Sequence, residues 1–152
     1  MNQESTATLR IPLTVLQDST AYCHRRLPYE SGGFLVGRND GDGVGTATRF
    51  MGVETAIMRT NGFMFRACDV FEALLTCDQQ GEVLLATVHS HPYSAPIPSV
   101  TDLTVACGHA SLLHLIIGFS SHPPEYALYA YMLAKDKTPQ PKRLAMNITL
   151  SS

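Results

Sequence analysis

The sequence has little charge and lacks a long hydrophobic run. Charged residues make up 16% of its 152 residues, and 11 Lys plus Arg against 13 Asp plus Glu leave a net charge of −2 with neutral histidines. The sequence has no excess of basic residues, and such an excess would be expected if nucleic acid or an anionic membrane were the main partner. The longest strongly apolar run, residues 112–119, is too short to cross a bilayer. We therefore expect a chain that binds neither nucleic acid nor membrane.

A secretion signal and a cysteine-rich metal motif are not expected either. The first residues, MNQESTATLRIPL, do not combine a basic start with an apolar stretch, so no signal peptide is expected. None of the four cysteines belongs to a Cys-x-x-Cys pair, which argues against a four-cysteine zinc site. We interpret them as reduced and mostly buried thiols, although their even number would permit disulfides. These observations together predict a soluble protein of the cytoplasm.

Apolar residues, in contrast, are plentiful enough for one ordinary domain. They account for 45% of the chain, and a domain of this length buries about 70% of the surface that its unfolded chain exposes. We predict that residues 1–152 form a single domain. Within it, residues 135–152 would be a C-terminal extension that either adds an edge strand or is partly flexible.

Hydrophobic periodicity predicts a mixed α/β domain with about three helices. In the second helix Asp69 is expected to be the cap, and Val70, Leu74, Leu75 and Cys77 are expected to form the apolar side. Residues 135–143 are polar and contain prolines, so they are not assigned to a strand. The predicted helices are 12–26, 69–80 and 99–110, and the predicted strands are 8–11, 34–36, 46–53, 83–88, 112–119, 126–133 and 144–150.

Two histidines at the end of a strongly apolar strand suggest a metal site. His89 and His91 are separated by one residue, so both side chains leave the same face of a strand and can converge on one ion. Asp102 is a candidate third ligand in the first turn of the next helix, for which Ser99 is a natural N-cap. Taken alone, His-x-His is a weak signal and Asp102 is more typical of a helix-cap carboxylate.

The complete pattern is more specific. It reads His89-Ser90-His91, seven residues, Ser99, two residues and Asp102, and it resembles the JAMM motif of MPN-domain metalloproteases. That family also carries a glutamate far upstream, before a glycine at the edge of a strand. The segment PYESGGFLVG, residues 28–37, corresponds to that place. The resemblance extends from about residue 9 to about residue 133 and is closest to the compact, stand-alone bacterial members.

The resemblance implies a fold and a set of roles. The fold would be the MPN (cytidine-deaminase-like) fold, an α/β domain whose curved, mixed and mostly antiparallel sheet is flanked by about three helices. His89, His91 and Asp102 would bind one zinc ion. Glu30 would hold the zinc-bound water, take its proton and deliver it to the leaving amine, and the hydroxyl of Ser99 would donate to the oxyanion. Without the resemblance, Glu30 would be interpreted as a solvated loop carboxylate and Ser99 as a plain N-cap.

The resemblance also implies a substrate class. The protein would be a zinc-dependent metallo-isopeptidase or peptidase that cleaves after the C-terminal glycine of a ubiquitin-like or sulfur-carrier protein. It would remove conjugates or process precursors, with E1/E2-like proteins of the same operon as further partners. We place a substrate-binding strand or clamp at residues 56–65, with Asn61, Gly62 and Phe63 as its candidate contacts. An ordinary hydrophobic hairpin is the alternative interpretation of this segment.

Two other functions are compatible with parts of the pattern. A non-catalytic MPN scaffold would bind a partner, but inactive relatives usually lose a ligand and this chain keeps all five functional positions. A RadC-like DNA-associated protein would share the His-x-His and Ser-x-x-Asp elements. Such proteins normally carry an additional N-terminal domain, for which this chain has no room, and no basic stripe is present.

Overall fold

The computed structural model describes residues 6–106 and 112–150. These residues form three helices and ten strands in the order β1-α1-β2-β3-β4-β5-α2-β6-α3-β7-β8-β9-β10. The helices are α1 (Leu13–Arg25), α2 (Ala67–Gln80) and α3 (Val100–Ala106). The strands are β1 (Thr8–Pro12), β2 (Gly32–Gly41), β3 (Val44–Gly52), β4 (Ile57–Arg59), β5 (Gly62–Met64), β6 (Val83–His91), β7 (Leu113–Gly118), β8 (Glu125–Leu133), β9 (Pro139–Leu144) and β10 (Asn147–Thr149).

Eight strands form one mixed sheet in the order β10-β1-β3-β2-β6-β7-β8-β9, and β4 pairs with β5 in a separate hairpin. The pairs β1–β10, β1–β3 and β6–β7 are parallel, whereas β2–β3, β2–β6, β7–β8 and β8–β9 are antiparallel. The prediction of an α/β domain with a mixed, mostly antiparallel sheet and three helices is therefore confirmed.

The sheet is strongly curled. Strands β9 and β10 lie at its opposite edges, yet only two residues separate them in the chain. Eight flat strands would place these edges about 34 Å apart, because neighbouring strands are about 4.8 Å apart. The three peptide steps from Leu144 to Asn147 span at most about 11 Å. The sheet must therefore curve until its two edge strands approach each other.

Alternate residues of β2 explain how the helices are layered on the sheet. Leu35 packs in a buried cluster with α1 residues such as Leu16. Its neighbours Phe34 and Val36 point to the other face and pack in a cluster with Cys77 of α2. Because successive side chains of a strand leave opposite faces, one apolar strand supplies the core on both sides.

The predicted apolar side of α2 is partly wrong. Ala73 and Cys77 are buried, with only 3% of each exposed, whereas Leu74 and Leu75 are 47% and 45% exposed. The helix begins at Ala67, and the Asp69 carboxylate, in its first turn, accepts a hydrogen bond from the backbone N–H of Arg66 at 2.7 Å. Asp69 is therefore not the N-cap, and small residues at a spacing of four face the sheet because the helix packs closely on it.

Strand β9 was missed because its sequence is polar and contains Pro139 and Pro141. It nevertheless pairs with β8 as an edge strand, a position in which a proline without an N–H is tolerated. The helix predicted for 99–110 is α3, and its predicted end at 107–110 lies outside the described residues. No helix in the described part of the chain is long and apolar enough to span a membrane.

Three of the four cysteines can be placed. Cys23 and Cys77 are buried, Cys68 is exposed, and all three are free thiols. Cys107 lies outside the described residues. For the described cysteines the expectation of reduced, mostly buried thiols is met, which agrees with a core large enough to be stable without disulfides.

Candidate metal centre

The two histidines of the motif lie at the C-terminal end of β6. His89 and His91 project from the same face, and their side chains are only 12% and 7% exposed. The backbone N–H of Phe119 donates to the carbonyl of His91 at 2.9 Å, so this end of the strand is held by its neighbour. The histidines are therefore mounted on a paired, buried strand rather than on a free loop.

Asp102 reaches the histidines from the first turn of α3. The backbone N–H of Asp102 donates to Ser99 Oγ at 3.0 Å, and the N–H of Ser99 donates to Asp102 Oδ2 at 2.9 Å. This reciprocal pair is a capping box, which confirms Ser99 as the N-cap and fixes the carboxylate at the start of the helix. The cap role and a ligand role are compatible, because the carboxylate retains further lone pairs.

The spacing of the donor atoms fits a tetrahedral metal ion. His89 Nε2 lies 3.2 Å from His91 Nε2 and 3.3 Å from Asp102 Oδ1, and His91 Nε2 lies 3.0 Å from Asp102 Oδ2. Donors bound at 2.0–2.1 Å in a tetrahedron are separated by about 3.3 Å. Two imidazoles and one carboxylate at this spacing could hold a small divalent ion and leave a fourth position free.

Glu30 joins this group from the segment just before β2. Gly32 pairs with His89 across β2 and β6, which brings the residues just before β2 to the end of β6. One donor atom each from Glu30, His89, His91 and Asp102 lies within 4.8 Å of the others. Glu30 is 8% exposed, and no described residue hydrogen-bonds its carboxylate. The solvated loop carboxylate expected from the residues alone is therefore not what the fold produces.

The environment shifts the pKa values of the two carboxyl groups, Glu30 and Asp102, in opposite directions. Burial raises the pKa of Glu30, even though the neighbouring histidines act in the opposite direction. Burial would also raise the pKa of Asp102, but hydrogen bonds from His89 and His91 hold it well below its usual range. One carboxylate is thus kept charged beside the imidazoles, and the other is able to accept a proton.

The orientation of His91 is set by its second ring nitrogen. Burial would lower the pKa of His91, but its hydrogen bonds with Asp102 and with the carbonyl of Ala95 raise it. The bond from Nδ1 to Ala95 O is 3.0 Å long. Because this bond needs a proton on Nδ1, the neutral ring presents the lone pair of Nε2 to the centre.

The family assignment follows from the sequence. The chain matches the family described as prokaryotic homologs of the JAB domain over residues 12–133. It belongs to this family. The predicted resemblance to MPN-domain proteins is thereby confirmed, since the match covers most of the chain.

Solved structures share the fold of this JAB domain. One is the solution structure of protein DSY2949 from Desulfitobacterium hafniense, with a TM-score of 0.79, 23% identity and coverage of 94% of both chains. Another is a protein from Salinibacter ruber, with a TM-score of 0.65, 21% identity and coverage of 92% of this chain and 91% of the other. No curated protein is similar enough to this chain to count as a relative.

The predicted clamp of this JAB domain lies next to the candidate metal centre. Asn61 is in the turn of the β4–β5 hairpin, and Gly62 and Phe63 begin β5. The ring of Phe63 is parallel to that of His89 within 3°, with centroids 6.1 Å apart, and the N–H of Glu30 donates to the carbonyl of Arg59 in β4 at 2.7 Å. The hairpin therefore forms one wall of the centre, and its role in substrate binding stays a prediction.

Sequence reasoning missed the contribution of Ser90, which it treated as a spacer between ligands. Ser90 is fully buried. Its Oγ accepts from the N–H of Ser31 at 3.1 Å, and its own N–H donates to Ser31 O at 2.9 Å. This reciprocal pair ties the segment of Glu30 to the histidine strand. A small polar residue between two candidate ligands of a buried strand is the signal that could have indicated it.

Proposed function

We propose that the protein is a zinc-dependent isopeptidase or peptidase of the cytoplasm. Its substrate would be a ubiquitin-like or sulfur-carrier protein, cleaved after the C-terminal glycine to remove conjugates or process precursors. The observation that carries the proposal is the convergence of three donor atoms at tetrahedral spacing with a fourth, separate carboxylate beside them. Inactive members of the family would be expected to lack one of these groups, whereas this chain has all of them.

His89, His91 and Asp102 would hold the ion. Nitrogen and oxygen donors in a three-residue set with an open fourth position are typical of catalytic zinc. When bound, zinc supplies Lewis-acid chemistry: it polarises a carbonyl and makes water a better nucleophile at neutral pH. A protein with this donor set has no need of a covalent nucleophile, because the water itself attacks the carbonyl.

Glu30 would act as the general base and acid. Its carboxylate would accept the proton of the attacking water and deliver it to the leaving amine. A base works best when its pKa is close to the operating pH, and burial raises the pKa of Glu30. Its carboxylate lies within 4.8 Å of the donor atoms of His89, His91 and Asp102, and is therefore close to the place where the reacting atoms would lie.

Ser99 would stabilise the oxyanion. Its Oγ already accepts the N–H of Asp102, but a hydroxyl has one proton that it can still donate. The cap bond therefore holds Oγ in place while the O–H is directed to a developing negative charge. Capping and catalysis use different features of the same atom.

The hairpin supports a substrate with an extended tail. Among the described residues β5 pairs only with β4, so its other edge is open to a strand of a partner. This tail would contact Asn61, Gly62 and Phe63. Glycines of the substrate tail would suit the narrow space between the metal centre and the Phe63 ring. E1/E2-like proteins of the same operon would be further partners.

The proposal is tested with ubiquitin-like proteins from the same genome, each fused through its C-terminal glycine to a reporter. The purified protein should release the reporter from one of them, and a chelator should stop the release until zinc is added back. A chain in which Glu30 is replaced by Gln serves as the control that keeps the donors. If zinc binds and no fusion is cut, the protein is a non-catalytic scaffold instead.

A further inference from the structure

The loop between the histidines and α3 is held in place at Pro96. Seven residues, 92–98, connect His91 to Ser99. Within this loop Tyr93 and Ile97 are 73% and 65% exposed, whereas Pro96 is buried. Pro96 therefore faces inward in the middle of an otherwise exposed part of the loop, and the groups that contact it decide where this part of the loop lies.

Two neighbouring strands provide the contacts to Pro96. The hydroxyl of Tyr129, in β8, donates to the carbonyl of Pro96 at 2.9 Å, and Tyr129 is 6% exposed. From β7, Gly118 lets the loop approach closely. A Cβ at this glycine would lie 2.7 Å from Pro96 Cδ and 2.8 Å from Ser94 O, which is closer than real contacts allow.

The carbonyl next to Pro96 orients a metal ligand. Ala95 O accepts from the N–H of Ile97 at 2.8 Å and from Nδ1 of His91 at 3.0 Å. The first bond spans one residue, as in a γ-turn centred on Pro96, and the fixed φ of proline suits the inverse form of that turn. The position of Ala95 O, and with it the ring orientation of His91, thus depends on the place of Pro96.

We propose that Tyr129 is a positioning residue of the metal centre. Its hydroxyl fixes Pro96, Pro96 fixes Ala95 O, and Ala95 O holds His91 with Nε2 directed to the donor group. The Tyr129 hydroxyl thus acts on the centre without touching it. This inference rests on the metal-binding role of His91 given under the proposed function. The inference gives β8, a strand that carries none of the motif residues, a part in positioning a metal ligand.

The test replaces Tyr129 by Phe, with Tyr126→Phe as the matched control. Tyr126 lies on the same strand, and its hydroxyl is hydrogen-bonded to Thr20 of α1 at 2.7 Å. Each change removes one oxygen and one partly or fully buried hydrogen bond, but only the first contacts the loop. Zinc affinity is measured by competition with a chromogenic chelator, and the visible spectrum of the cobalt-loaded protein reports the donor geometry.

Tyr129→Phe is expected to weaken zinc binding about tenfold, in the range found for residues that orient ligands, and to shift the cobalt bands. Tyr126→Phe should leave both unchanged, while the two variants lose similar thermal stability without metal. Gly118→Ala displaces the same loop by another route and should weaken zinc binding as Tyr129→Phe does.

Equal zinc affinities in the wild type, Tyr129→Phe and Tyr126→Phe would overturn the inference and leave the metal site intact. A wild-type protein that binds no zinc would overturn the proposed function, and this inference with it. The affinity of the wild type therefore separates the two failures.

Discussion

Two regions on one face of the sheet contain buried histidines, and they differ in what surrounds the rings. At the end of β6, His89 and His91 meet Asp102 and Glu30. On the neighbouring strand β7, His114 is also buried, with 4% of the residue exposed. Its Nδ1, however, lies 2.6 Å from Thr87 Oγ1, and its ring packs edge-on against Tyr131.

The difference shows that burial alone does not make a histidine a ligand. Thr87 belongs to the same strand as His89 and His91 and precedes them by two and four residues, so the same face of β6 carries first a core hydrogen bond and then the candidate metal ligands. What changes is position: His89 and His91 lie at the C-terminal end of β6, where a loop and a helix return Asp102 to the rings, whereas His114 is the second residue of β7, where its ring meets side chains of the neighbouring strands. Breaking each region should therefore have different consequences.

The largest expected effect is the loss of zinc on His91→Ala. Removing one of three donors should reduce the bound metal from about one equivalent to almost none, because the remaining pair cannot complete a tetrahedral set. Metal analysis of the purified protein measures this, and His114→Ala is the matched control that should keep its zinc. Equal metal contents in the two variants would show that the centre is assigned to the wrong histidines.

Next in size is the effect of Glu30→Gln on cleavage. Gln cannot accept the proton, so the rate should fall by about 10²–10⁴-fold, while metal content stays at the wild-type level. Because burial raises the pKa of Glu30, its charged form opposes folding above that pKa, and the metal-free variant should melt at a higher temperature at neutral pH. Full activity in this variant would remove Glu30 from the mechanism.

Substitution of Ser99 should separate the hydroxyl from the cap. Ser99→Gly keeps a tolerated N-cap residue but has no side-chain donor, so cleavage should fall by about 10²–10³-fold with zinc retained. Ser99→Thr restores both features and should recover most of the activity. Steady-state rates at saturating substrate check this, and equal rates for the two variants would reduce Ser99 to a cap.

For the other histidine the expected effect is on stability alone. His114→Ala leaves the buried hydroxyl of Thr87 without this partner and opens space beside Tyr131, which should cost about 2 kcal/mol of unfolding free energy. Denaturant unfolding of the metal-free protein measures the change. A variant of wild-type stability would mean that this pair contributes little to the core.

The smallest expected effect is the pH dependence of zinc affinity. Asp102 and Ala95 raise the pKa of His91 in the metal-free protein, so its proton still competes with zinc above about pH 6.5. Affinity should therefore rise about tenfold between about pH 6 and about pH 8 as the proton leaves. Competition titrations in matched buffers check this, and a flat profile would show that His91 is already neutral over this range.

Local sequence predicts the parts of the centre that are close in the chain. Two histidines one residue apart on a strand must share a face, and Ser99 three residues before Asp102 must cap the same helix turn. The partly wrong side of α2 and the missed strand β9 have a common reason. In both, packing against a neighbour outweighed the hydrophobic pattern, because a close helix favours Ala73 and Cys77 over leucines, and an edge strand accepts prolines.

What the sequence by itself determined is the set of candidate donors and their local mounts on β6 and α3. It also indicated Glu30, but only through the family resemblance, since nothing in the neighbouring residues shows where a loop carboxylate will lie. The tertiary structure alone decided that Glu30 meets the histidines, because the antiparallel pairing of Gly32 with His89 joins segments 57 residues apart. It likewise decided that Tyr129 reaches Pro96, since a hydrogen bond between β8 and the loop after β6 depends on the order of the strands in the sheet and not on local spacing.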